Sequence, residues 1–167
     1  MLDFGSGLRG SQRSVAWSPD SQQIAIGYEA RGVGVWDASS GALVQRLIGH
    51  TNWVLSVAWR RDGKQLASSD GSGNLRFWNP ARSALGTTRQ ASRSFVRSIA
   101  YSPDGRTLAS SSQEGWITLW DTSSLAPIKR LEGHTSATTT LAWSLDGRQL
   151  VSGSSDQTIR IWDVESA

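Results

Sequence analysis

The 167-residue sequence predicts an all-β fold made from four copies of one unit of short strands and turns. Three observations carry this expectation. The composition, with 17 Gly but 4 Pro and 9 Trp against 3 Phe and 2 Tyr, suits tight turns and short strands better than long helices. The dipeptides Trp36-Asp37, Trp78-Asn79, Trp120-Asp121 and Trp162-Asp163 stand 42 residues apart without exception. Two further series keep the same step. One is Ser18-Pro19-Asp20-Ser21, Arg60-Arg61-Asp62-Gly63, Ser102-Pro103-Asp104-Gly105 and Ser144-Leu145-Asp146-Gly147; the other is Ala16-Trp17, Ala58-Trp59, Ala100-Tyr101 and Ala142-Trp143. Self-similarity at such a period marks a repeat architecture, and here it runs through four copies with no insertion.

The elements follow in order. Ser14 to Trp17 reads as the first strand of the first copy. In the second copy Val54–Trp59 is an apolar strand, Arg60–Gly63 a turn, Gln65–Ser69 a strand, Asp70–Gly73 a turn and Leu75–Trp78 a third strand. A polar link, Asn79–Ser83, leads to a weaker fourth strand at Ala84–Arg89. Gly and Asp hold the turns, where positive φ or side-chain capping is needed. The third strands, Leu75–Trp78, Ile117–Trp120 and Ile159–Trp162, carry large apolar side chains on both faces. Such a sheet must be covered on both faces, and stacking like sheets side by side covers it.

Composition also excludes function classes. The chain has no Cys, which removes disulfides, thiolate metal sites and cysteine nucleophiles. Two His, His50 and His134, do not make a His-rich metal site. The net charge is +3 and no Lys/Arg run reaches five, so no specific nucleic-acid partner is expected. The segment Met1–Gly10 lacks the basic and apolar regions of a signal peptide, and no apolar stretch spans a membrane. A soluble, cytoplasmic protein is expected.

These residues resemble the WD40-repeat β-propeller family. The resemblance rests on Gly49-His50, Gly133-His134, the Asp-containing turns, three Trp-Asp dipeptides and one Trp-Asn, at a period inside the family's range of about 40–45. It covers nearly the whole chain, read as one domain, 1–167, with repeats at 8–49, 50–91, 92–133 and 134–167. It implies four-stranded blades in which the Trp-Asp ends the third strand. It also implies a buried tetrad of His, Ser, Asp and Trp. The fourth repeat has all four: His134, Ser152, Asp156 and Trp162. The second has His50, Ser68 and Trp78, with Ser72 where Asp belongs. The third keeps Ser110 and Trp120, with Ser92 for His and Glu114 for Asp. The first keeps Trp36 alone, with Leu8, Ile26 and Ala30 elsewhere. Blade stability is therefore expected to fall from the fourth repeat to the first.

Other motifs reduce to structure. His134, Ser152 and Asp156 have the composition of a nucleophilic triad, but their spacing fits the buried tetrad. Gly5 to Gly10 fits G-x-G-x-x-G, yet a strand follows it instead of a helix, so no cofactor is expected. Asp20, Asp62, Asp104 and Asp146 read as turn caps, and no metal is expected. By the family's geometry Trp53, Phe95 and Trp116, with Arg9, Arg31 and Arg93 nearby, line one rim. Aromatic residues with Arg are typical binding anchors; Trp53 and Phe95 read equally well as packing between blades.

The leading function is a non-catalytic propeller module that self-assembles and offers this rim to a protein or peptide. A second reading is an engineered, reconstructed or fragment half-propeller with no partner but itself. A third, an enzyme using rim carboxylates such as Glu29 and Glu114, lacks a complete catalytic constellation. Residues Met1, Leu2, Asp3, Phe4 and Gly5 align by period with Pro127–Leu131, so residues 1–6 are expected to close the last blade as its fourth strand. Small second-strand residues, Ala67, Ser68, Ala109 and Ser110, suit the narrow wedge of seven or eight blades. Propellers close with about 4–8 blades, so two copies are expected to form an eight-bladed homodimer.

Overall fold

Each repeat breaks into strands at turns whose chemistry is repeated with it. In the first turn the Ser18, Ser102 and Ser144 hydroxyls donate to Asp20, Asp104 and Asp146 at 2.6 Å. Each carboxylate also accepts from the backbone N–H two residues on, at 3.0–3.1 Å. In the second copy the Arg60 guanidinium takes the serine's place on Asp62, at 2.9 Å. Gly63, Gly105 and Gly147 sit there at φ near +70°, where a glycine is unstrained. The Trp-Asp dipeptide ends the third strand for a similar reason. Asp37 accepts from the N–H and hydroxyl groups of Ser39 and Ser40, and Asp121 does so from Ser123 and Ser124. The Ser40 and Ser39 hydroxyls hold the half-buried Asp37 carboxyl down at about 2.

A computed structural model describes residues 10–82 and 86–164, and its order is all-β. The first sheet runs β1 (Gln12–Trp17), β2 (Gln23–Tyr28), β3 (Gly32–Asp37), β4 (Leu43–Ile48); the second runs β5 (Val54–Trp59), β6 (Leu66–Asp70), β7 (Asn74–Trp78), β8 (Thr87–Gln90). The third runs β9 (Ile99–Tyr101), β10 (Thr107–Ser111), β11 (Ile117–Asp121), β12 (Pro127–Leu131); the fourth has β13 (Thr138–Trp143), β14 (Gln149–Ser154) and β15 (Ile159–Asp163). Every pairing is antiparallel between chain neighbours. The outer strand of the second sheet begins at Thr87; positions 84–85 of the expected strand lie outside the described residues. A side chain at Gly86 would meet the Phe77 carbonyl at 2.7 Å, so the backbone passes too close there for ordinary strand residues. The expected closing strand, Met1–Gly5, lies outside the described residues.

The sheets stack through their first strands, β1 on β5, β5 on β9 and β9 on β13. Each seam holds one apolar cluster. Ala25, Val33, Val35 and Leu47 meet Val54, Val57 and Leu66 across the first. Ala67, Leu75 and Phe77 meet Val96, Ile99 and Leu108 across the second, and Ala109, Ile117 and Leu119 meet Leu141 and Leu150 across the third. Burying a side chain of this size stabilises by roughly 1.5–3 kcal/mol. Each seam is also pinned by one hydroxyl. Ser14 Oγ accepts from Val57 N at 3.0 Å, Ser56 Oγ from Ile99 N at 3.3 Å and Ser98 Oγ from Leu141 N at 3.1 Å. Register shifts just before Ser14 and Ser56 mark bulges, which re-aim a side chain out of the ladder. The first and last sheets do not cover each other: Val15 and Trp17 on one, Ile159 and Ile161 on the other, are exposed.

Candidate partner rim and buried tetrads

In the fourth blade the tetrad is a single hydrogen-bonded chain. His134 Nδ1 faces Asp156 Oδ2 at 2.8 Å, and its Nε2 meets Ser152 Oγ at 2.8 Å. Ser152 Oγ also accepts from Trp162 Nε1 at 2.8 Å. A carboxylate only accepts, so Nδ1–H is the donor and the ring orientation is settled. Ser152 is buried with its oxygen occupied from two sides, which leaves no face for a substrate.

The second blade corrects the expectation that its Asp is missing. His50 Nδ1 lies 2.8 Å from Asp70 Oδ2, its Nε2 lies 2.6 Å from Ser68 Oγ, and Trp78 Nε1 donates to that oxygen at 2.8 Å. The carboxylate comes from the end of β6, two residues ahead of Ser72. From there Asp70 also accepts from the backbone N–H groups of Ser72 and Asn74, both at 2.9 Å. Burial acts to raise the Asp70 carboxyl, but His50 and Asn74 outweigh it and hold it below the usual range. At Asp156 the Thr158 hydroxyl leads a set of donors that depress it well below that range.

The other blades are simpler. In the third the network splits in two: Ser92 donates to Glu114 at 2.7 Å, and Trp120 Nε1 donates to Ser110 at 2.9 Å. In the first the tetrad is replaced by an apolar cluster of Ile24, Ile26, Tyr28 and Trp36. Ile26 stands where Ser68 does and Tyr28 where Asp70 does, and burial raises the Tyr28 hydroxyl above its ordinary pKa.

Each of the three aromatics expected on the rim carries an arginine over its ring. Arg13 lies over Trp53 at 5.4 Å from the ring centroid, Arg97 over Phe95 at 5.0 Å and Arg130 over Trp116 at 3.2 Å. Trp53 is 46% exposed. Phe95 leans over Gly71, whose N–H donates to the Trp53 carbonyl, so these two aromatics share one neighbourhood. Trp116 stands apart from them, in a groove of about 380 Å³ with Gln90, Ala91, Ile128 and Arg130. Arg31 and Arg93 are exposed, Arg31 at a φ of 66°, and Arg9 lies outside the described residues.

The ring-capping arginines were not among the expected rim residues. Arg97 had a readable signal, since residues two apart on an extended chain share a face with Phe95. Arg13 had none, because it reaches Trp53 across a seam. The rim carboxylates are engaged. Glu29 pairs with Arg13 and is lowered by it. Glu114 is pushed up by burial but brought below its ordinary value by Ser92 and Ser112. Among the described residues no group of three His, Cys, Asp or Glu is placed to hold a metal, and no helix is long and apolar enough to cross a membrane.

The sequence profile of the family described as "WD domain, G-beta repeat" matches residues 41–79, 84–121 and 125–163. The chain belongs to the WD40-repeat family. Domains of this family generally mediate protein–protein interactions. The matched stretches begin at residue 41 and so leave out most of the first repeat, the one whose tetrad has become apolar. No curated protein matches the chain significantly.

Proposed function

We propose that this WD40 chain is a non-catalytic binding module that engages a protein or peptide through the rim marked by Trp53, Phe95 and Trp116. The observation that supports it best is the arginine over each of these rings. An aromatic under a guanidinium, exposed as at Trp53 or half-buried as at Phe95 and Trp116, presents apolar area, hydrogen-bond donors and positive charge together, the combination typical of interface anchors. Selection of a displayed peptide library on the immobilised chain tests the reading. Selected peptides should lose about tenfold or more in affinity when Trp53 is replaced by Ser, with the circular dichroism spectrum unchanged. Peptides that bind equally well to Trp53→Ser, Phe95→Ser and Trp116→Ser chains would remove the rim from the account.

The same module assembles with itself, two copies completing eight blades. The exposed apolar faces of the first and fourth sheets support this, since isolated chains rarely leave such patches in water.

A further inference from the structure

We infer that the open face of the fourth blade is a directional socket for the first blade of a second copy. The socket is built from the same contacts as the three seams inside the chain. This rests on the self-assembly reading above and adds to it the residues that meet and the direction in which they meet.

The repeat carries the argument. Val57, Ile99 and Leu141 each face back into a preceding blade and are at most 7% exposed, whereas Val15, one period earlier, is 65% exposed. Val35, Phe77 and Leu119 face forward and are at most 4% exposed, whereas Ile161, one period later, is 68% exposed. Ile159 is 77% exposed where Val33, Leu75 and Ile117 are fully buried. Inside the chain the partners are fixed: Val35 clusters with Val57, Phe77 with Ile99 and Leu119 with Leu141. The next pair in the series is Ile161 with the Val15 of a second copy. The exposed faces of the first and fourth sheets carry matching halves of one seam.

The polar pin continues too. After Ser14, Ser56 and Ser98 the next position is Thr140, which is exposed and makes no side-chain hydrogen bond among the described residues. Its acceptor oxygen is matched by the backbone N–H of Val15 in the second copy. The extra methyl of Thr140 is accommodated by Gly153 across the ladder, where a Cβ would come within 2.9 Å of Thr140 Cγ2. At the same ladder position Ser56 faces Ser69. The exposed Trp17 has one precedent inside the chain: at the third seam Trp143 Nε1 donates back to the Ala100 carbonyl at 3.0 Å, and the Ala142 carbonyl of a second copy is the equivalent acceptor for Trp17.

A head-to-tail contact forms either a closed ring or an open filament. Two copies of four blades give eight, within the usual range for closure, and a two-fold axis makes both seams identical.

Light scattering at micromolar concentration tests this with two charge variants. The wild-type chain should have about twice its 18.1 kDa mass. Val15→Lys and Ile161→Glu alter residues exposed within one chain, so each should keep its circular dichroism spectrum and be monomeric. Mixed in equal amounts they should restore a dimer, because one seam then pairs Lys with Glu and the other is wild type. Thr140→Val, which keeps the shape and loses the acceptor, should weaken dimerisation by about tenfold per seam. A wild-type chain that stays monomeric overturns both the self-assembly reading and this seam. A wild-type dimer that persists in both charge variants, or monomeric variants that fail to complement each other, overturns the head-to-tail seam and leaves self-assembly standing.

Discussion

Blades two and four hold the same four groups with the carboxylate drawn from different places. In both, a histidine sits edge-on to the tryptophan, with ring centroids 6.0 and 5.9 Å apart. In both, a serine oxygen joins the two rings. Blade four takes its carboxylate from Asp156 in the hairpin turn, where water still reaches it; blade two takes it from Asp70 at the end of a strand, fully buried. The blade requires a carboxylate at Nδ1, and the chain can deliver one from either side of the turn. Each carboxylate also accepts from two backbone N–H groups, those of Ser72 and Asn74 at Asp70 and those of Thr135 and Thr158 at Asp156. What sets Asp70 apart is its complete burial.

The largest way to break this comparison is Asp70→Ala. It strands His50 and two turn N–H groups in a dry site, and should cost about 3 kcal/mol. Urea titration beside Asp156→Ala checks it; equal losses would make the two carboxylates equivalent after all. Next come the histidines. His50→Ala and His134→Ala should each cost roughly 1–3 kcal/mol, with His50 no cheaper than His134, since its tetrad is complete and better buried. A smaller cost at His50 would restore the view that blade two is the weaker.

Acid sharpens the comparison further. Asp70 and Asp156 both have carboxyls lowered by folding. A lowered folded value contributes stability above the unfolded value, near 3.8, that is lost as pH falls through the folded one. Urea midpoints should therefore hold steady down to about pH 4 and fall below it. Asp70→Asn should flatten that fall; an unchanged acid limb would place the sensitivity elsewhere. The smallest effect is expected in the blade with no tetrad. Tyr28→Phe removes only the hydroxyl of a buried ring and keeps the apolar cluster, so it should cost about 1 kcal/mol or less.

Much of this was legible in the sequence because a repeat states its pattern four times. The 42-residue step placed Val54–Trp59 as a strand and the Asp62 turn as a cap, and the family resemblance grouped His134, Ser152, Asp156 and Trp162 as one network. The resemblance to a family also misled where it was applied position by position. It put Ser72 in the place of an Asp that the chain supplies at position 70.

The sequence by itself determined the repeat, the strands and their turns, since Gly, Asp and Ser act on a backbone only a few residues away. It also determined which faces are apolar, because side chains alternate along a strand. The tertiary structure alone decided what meets across a seam. Arg13 reaches Trp53 and Ser14 pins Val57 because two sheets lie side by side. Asp70 reaches His50 because a bent loop and a strand end converge on one buried point. Such contacts depend on the relative placement of elements 20 to 43 residues apart, a quantity that no local pattern of residue types encodes.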